Sequence, residues 1–189
     1  WAPHSSPMWF LGIHCIDLMR WLLKADGVRA WAVGSKGKLL SLGIDTYDAI
    51  TAQVEFTSGA AVTFQTGWVL PEGFEAIVDQ GFRLVGEKGV IECDSQDRGT
   101  RTCTEAAGMQ THNLGFLAQG TDIHGRPRFT GYGVDSVFDF VDNVEAFTRG
   151  VSLEVIASHG AALGEDGLEA TRIAVAIHKS LLSCGIEAV

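Results

Sequence analysis

An α+β fold is what this sequence predicts: a mostly antiparallel, open β-sheet with helices packed on one face. Three observations predict it. Apolar residues recur at helical spacing near both ends of the chain. Between those ends the apolar period drops to two, the spacing of half-buried strands. A Gly-containing turn joins two of the alternating stretches as a hairpin, and further short alternating stretches follow it.

Each element follows in order. Residues 13–25 read as a helix whose Ile13, Ile16, Leu18, Met19, Leu22 and Leu23 cover most of its circumference. Asp17 lies in its first turns, where the helix dipole favours a carboxylate, and Asp26-Gly27 is its expected αL stop. Residues 28–33 alternate as a strand. YDAITAQVEF (47–56) and AVTFQTGWV (61–69) alternate on either side of Thr57-Ser58-Gly59, a hairpin whose Gly allows a positive φ. Strands are expected near 75–85 and at 90–94, joined through Gly86-Glu87-Lys88-Gly89, with another at 101–105. Residues 106–128, which hold His112 and His124, read as irregular. VDSVFDFVDNVEAFTR (134–149) has helical spacing, 152–163 reads as a loop, and 165–183 reads as a long amphipathic helix ended by Gly185. One face of such a sheet stays uncovered by helices. Its mixed polarity suits a subunit interface, hence a homo-oligomer, and equally suits a solvated surface.

Composition narrows the classes. The 189 residues fit one domain or two small ones, and 46% are apolar, which argues against disorder. A formal net charge of −9 repels phosphate backbones, so no nucleic-acid partner is expected. No apolar run reaches the roughly 18 residues of a membrane span. The opening WAPHSSPMWF has no basic n-region and no initiating Met. It is not a signal peptide, and the chain reads as part of something longer. Cys15, Cys93, Cys103 and Cys184 form no C-x-x-C pair, so reduced thiols in a cytoplasmic protein are expected rather than zinc or a disulfide framework.

GIHCIDLMRWLL followed by a strand, then FTSGAAVTFQTGWVLPEG, LVGEKGVIECD and EDGLEATRIAVAIHKS, in that order, resemble the C-terminal domain of the Gfo/Idh/MocA oxidoreductases. The resemblance covers nearly the whole chain, residues 1–189. It implies a dehydrogenase C-terminal-domain-like fold that binds substrate and oligomerises. It also implies an enzyme whose N-terminal Rossmann domain, absent from this chain, holds NAD or NADP. The substrate would be a small polyhydroxy compound: a sugar, an inositol or a related polyol. No G-x-G-x-x-G lies between a strand and a helix here, and Glu87-Lys88 is followed by Gly89 rather than Pro, so neither cofactor-domain motif is present. The family's signature at the start of this domain is a carboxylate four residues before a histidine and an Asp three residues after it. His14 and Asp17 match; Phe10 stands in the place of the carboxylate.

Chemistry supports His14 independently. Oxidising a secondary alcohol by hydride transfer needs a base for the hydroxyl proton, and an imidazole ordinarily titrates near pH ~6.5. The bland alternative is a core histidine satisfied by backbone. Asp17 either orients His14 and meets substrate or only steadies the helix start. Trp9 and Trp68 are candidates for an apolar wall against a sugar ring, or for core. Arg128 and Tyr132, in GRPRFTGYG, are candidates for a loop that closes on a polyol, or for surface connection. No metal site is expected. Two further readings stay open: a non-catalytic binding or assembly module whose pocket has decayed, which Phe10 favours, and a sugar hydrolase, for which no carboxylate pair stands out.

Overall fold

The structure, a computed structural model, describes residues 1–74, 78–94, 99–112, 118–121, 125–131 and 133–189. After a 3₁₀ turn (Ala2–His4) and a π-helical turn (Met8–Gly12), the elements run α1 (Ile13–Leu23), β1 (Gly27–Ser35), α2 (Lys38–Ser41), β2 (Ala49–Phe56), β3 (Ala61–Gly67) and β4 (Gly81–Gly86). They continue with β5 (Gly89–Asp94), β6 (Gly99–Thr104), β7 (Gly108–His112), β8 (Ala118–Thr121) and β9 (Pro127–Thr130). The last are α3 (Val134–Thr148), α4 (Leu153–Ser158), α5 (Gly164–Ser183) and β10 (Glu187–Ala188). Antiparallel sheets with helices make this the expected α+β class. The chain divides into two compact units, Trp1–Glu72 with Ala162–Val189, and Gly73–Ala161.

The first unit is a four-stranded antiparallel sheet in the order β10-β1-β2-β3, with α1 and α5 packed together and α5 on β1. Register places Ala32 beside Ala52 and Ala52 beside Phe64, so the period-two pattern of each strand lands on one shared face. Ala30, Ala32, Ile50, Ala52, Val54, Phe56 and Phe64 are buried there. α5 answers with Ala170, Ile173, Ala174, Ala176 and Ile177 on one stripe, all buried. Burying a residue the size of Phe56 or Ile177 contributes about 1.5–3 kcal/mol. Close approach of α5 to the sheet needs a glycine: a Cβ at Gly27 would stand 2.6 Å from Ile173 Cγ1. β10 pairs only with Arg29 and Ala30, and beyond it the buried Ser180 hydroxyl accepts from the Ala32 N–H at 2.8 Å and donates to the Gly185 carbonyl. The opposite face exposes Trp31, Val33, Gln53, Thr63 and Gln65, the mixed set expected there.

The second unit is an antiparallel meander, β4-β5-β6-β7, a separate β8-β9 hairpin, and α3 against α4 and β9. Several expectations are corrected. The meander is a sheet of its own rather than a continuation of β2-β3. The strand expected near 75–85 begins at Gly81, with 75–77 outside the described residues. The stretch 106–128, read as irregular, contains β7, β8 and the start of β9. GMQTH and AQGT carry almost no apolar residues, so backbone ladders alone define them and no hydrophobic period betrays them. The expected loop 152–163 contains α4, whose Ser152 hydroxyl caps the Val155 N–H. α1 ends at Lys24, itself left-handed at φ 48°, and Gly27 is already strand; α5 ends on Cys184 at φ 57° rather than on Gly185.

Candidate functional site

The approach to His14 is fixed residue by residue. The Ser5 carbonyl accepts from Thr46 Oγ1 at 2.6 Å and the Pro7 carbonyl from Thr66 Oγ1 at 3.3 Å. Between them Ser6, buried, accepts from the Trp9 N–H at 3.3 Å and donates to His178 Nε2 at 2.7 Å. The chain then enters the π-helical turn. Gly12 is needed there because a Cβ would stand 2.5 Å from the sulfur of fully buried Met8. A π-turn carries one extra residue, and such turns recur at functional sites. Here the result is a division of aromatics. Trp9 turns inward and stacks on the His178 imidazole at 4.8 Å and 11°. Phe10, 52% exposed, joins Trp1 and Trp68.

His14 follows on α1. It is exposed and has no hydrogen bond or ion pair among the described residues. It is therefore not the core histidine of the bland alternative. That role belongs to His178: its Nδ1–H donates to the Ala174 carbonyl at 2.7 Å while Nε2 accepts from Ser6. Burial holds its pKa below the ordinary histidine value, against the smaller opposing pull of that carbonyl. The signal for it was the four-residue step from Ala174 on an otherwise apolar face.

Asp17 lies one turn beyond His14 and pairs with Arg20 at 3.7 Å rather than with the imidazole. Arg20, its side chain only 10% exposed, also donates to Asp26 Oδ1 at 2.7 Å and to the Asp166 carbonyl at 3.0 Å, tying the end of α1 to the start of α5. Asp166 in turn accepts from the Leu163 N–H at 2.8 Å, closing the first turn of α5. The helix that carries His14 is thus anchored at both ends, a rigid mount for a side chain that faces out.

Trp68 follows β3, its N–H donating to the Asp48 carbonyl at 2.9 Å. The structure brings Trp68 and Phe10 together, and Trp9 gives one ring face to His178. Arg128 belongs to the second unit. Its guanidinium reaches Asp142 at 3.1 Å and Asp139 at 3.4 Å, and lies over the Phe138 ring at 4.7 Å. Tyr132 and His124 lie outside the described residues. The second unit also has a depression of about 340 Å³ where Glu92 sits between Arg83 (3.0 Å) and Arg101 (3.3 Å); no residue expected at the site lines it. Gly86 and Gly89 are cross-strand partners in the β4-β5 turn, so they serve a hairpin and do not fit a dinucleotide phosphate. No described helix is long and apolar enough to cross a membrane.

Residues 1–92 match the family model of the GFO/IDH/MocA C-terminal domain. Among solved structures the chain is similar to levoglucosan dehydrogenase in its apo form, 18% identical with a TM-score of 0.72, over 98% of this chain and 51% of that one. It is similar to an oxidoreductase domain protein from Kribbella flavida, 17% identical with a TM-score of 0.68, over 98% and 51%. An oxidoreductase from Agrobacterium radiobacter, in complex with NAD+, L-tartaric acid and magnesium, is 16% identical with a TM-score of 0.68, over 96% and 48%. The chain spans about half the length of these structures. No curated protein matches it by sequence.

Proposed function

With residues 1–92 a GFO/IDH/MocA C-terminal domain, we propose that the chain is the substrate-binding and oligomerisation part of an NAD(P)-dependent oxidoreductase acting on a sugar, inositol or related polyol. The observation that carries this reading is His14: exposed, unpaired among the described residues, and fixed on an anchored helix directly after the clamped π-turn. Its task is to take the proton of a substrate hydroxyl as that carbon is oxidised. The dinucleotide, held by a domain outside these residues, supplies the hydride acceptor. Asp17, half-exposed one turn on, is placed for a neighbouring hydroxyl when it leaves Arg20, and Trp68 flanks the approach. Arg128 is committed to Asp139 and Asp142, so the reading does not lean on it. The exposed sheet face with Trp31 and Val33 is the proposed contact between copies in a homo-oligomer. A cytoplasmic location, with reduced thiols, belongs to the same proposal.

The test uses full-length protein against a panel of sugars and polyols with NAD and with NADP. Wild type should reduce the dinucleotide, and His14→Ala should lower kcat by about 10²–10⁴-fold, the range for loss of a general base. Unchanged turnover in His14→Ala removes the role. One observation favours a second reading, the non-catalytic module: the position of the family's carboxylate is an aromatic ring packed with two others. A wild type silent across the whole panel selects that reading.

A further inference from the structure

The backbone that carries His14 is tied to α5 by a hydrogen-bond chain whose direction is fixed. The chain starts inside α5, where His178 Nδ1 lies 2.7 Å from the Ala174 carbonyl. A carbonyl only accepts, so Nδ1 carries the proton, and the bare Nε2 of the neutral ring can only accept. Ser6 Oγ stands 2.7 Å from Nε2, so its hydroxyl must donate there. The lone pairs of the same oxygen are left for the Trp9 N–H, at 3.3 Å. One buried hydroxyl thus joins the π-helical turn to a helix 172 positions along the chain.

The rings reinforce this link. Trp9 lies on the His178 imidazole at 4.8 Å and 11° from parallel, so one residue of the turn is gripped through its backbone and its side chain at once. The other anchors flank the turn. Ser5 and Pro7 are clamped ahead of it, and Arg20 fastens the far end of α1. His14 follows the turn by two residues and makes no hydrogen bond of its own among the described residues, so the backbone beneath it sets where its imidazole stands. A π-turn holds one extra residue. Without its tether the turn can relax toward ordinary α spacing, which rotates the start of α1 against the strand side. A general base works only where its nitrogen meets the hydroxyl proton, and a displacement of about 1 Å costs about 10²-fold in rate.

We propose that His178 is a positioning residue for proton transfer at His14: through Ser6 and Trp9 it fixes the π-turn, and with it the place of the His14 imidazole. The inference rests on the proton-transfer reading above and adds to it a residue that acts only through others.

The experiment is steady-state kinetics of the full-length protein on a panel substrate that wild type turns over, with kcat and KM separated. His178→Leu keeps apolar bulk but offers Ser6 no acceptor; kcat should fall by about 10²-fold while KM stays within about twofold. His178→Gln can place an amide oxygen where Nε2 stood, and should keep kcat within about fivefold of wild type, the size of one neutral hydrogen bond lost at Ala174. Ser6→Ala should match His178→Leu. The double variant Ser6→Ala/His178→Leu should be no slower than either single one, because all three break the same link. Ser6→Ala removes one oxygen atom and carries the test if His178→Leu does not fold. Wild-type kcat in Ser6→Ala or His178→Leu, a loss in which KM rises as kcat falls, a His178→Gln no faster than His178→Leu, or losses that multiply in the double variant each overturn the inference. In those cases the turnover of His14→Ala still decides the proton-transfer reading separately. Wild type that turns over nothing on the panel overturns both.

Discussion

Helix α5 in the first unit and helix α3 in the second carry the same kind of apolar stripe and meet different fates. Ala170, Ile173, Ala174 and Ile177 of α5 are all buried. Val137, Phe138, Phe140, Val141, Val144 and Phe147 of α3 are all exposed, from 39% at Phe138 to 68% at Phe140. Across the second unit Ile156 is the buried apolar residue among those described, whereas the first unit closes Met8, Ile16, Ile50, Val54, Phe56 and the α5 stripe into one core. An amphipathic period is a property of one helix, but burial is a property of the pair it forms. α5 has a sheet with small residues to lie on. α3 has only α4 and the short β9 within its unit. The first unit is therefore the part able to hold a site rigid, and His14 and its clamps are built there.

The sharpest way to break this contrast is to shave one ring from each unit. Phe56→Ala, at a side chain 1% exposed, should cost about 3–5 kcal/mol in urea denaturation. Phe140→Ala, at one 68% exposed, should cost under about 0.5 kcal/mol. Comparable losses at the two positions would mean that the α3 face is covered in the native protein, and the contrast between the units would vanish.

A smaller effect separates the units by pH. His178 belongs to the first unit's core, and burial depresses its native pKa below the ordinary value. The unfolded chain therefore binds the proton first as pH falls through about 6.5, and the folded state loses stability from there down to the lowered native value. Above about pH 7 both states are neutral and this contribution is flat. Denaturation midpoints of the first unit, followed through Trp9, should fall between pH 7 and 5 in wild type. They should fall less in His178→Gln, which removes the titrating group. An equal slope in the two proteins would show that the imidazole carries no linkage.

Legibility in the sequence follows the same divide. The β2-β3 hairpin was readable because Thr57-Ser58-Gly59 separates two strands that alternate cleanly, and Gly59 does sit at φ 82°. α5 was readable from its period. β7 and β8 were not, since polar strands held by ladder bonds leave no apolar rhythm. α4 was missed because its Ser152 cap precedes only six helical residues. At the site, His14 was singled out by the resemblance, whose signature pairs it with Asp17, and its exposure excludes the core-histidine alternative. The Asp17–Arg20 pairing, the π-turn and the Ser6–His178 bond were hidden. Each depends on which distant elements meet, as Ser6 and His178 do across 172 positions. Phe10 was legible as a departure from a pattern, but its union with Trp1 and Trp68 was not, because β3 delivers Trp68 from elsewhere in the chain.

The least effect is expected at Arg128, where the comparison can be sharpened most cheaply. Its partners Asp139 and Asp142 are 70% and 58% exposed, so water screens both ion pairs, and the Phe138 face adds a modest cation–π contact. Arg128→Gln should therefore change the stability of the second unit by about 1 kcal/mol or less. If that guanidinium only fastens β9 to α3, the affinity of full-length Arg128→Gln for any sugar or polyol of the panel that wild type turns over should match wild type. A loss of affinity without a matching loss of stability would mean that the guanidinium leaves its aspartates to meet substrate.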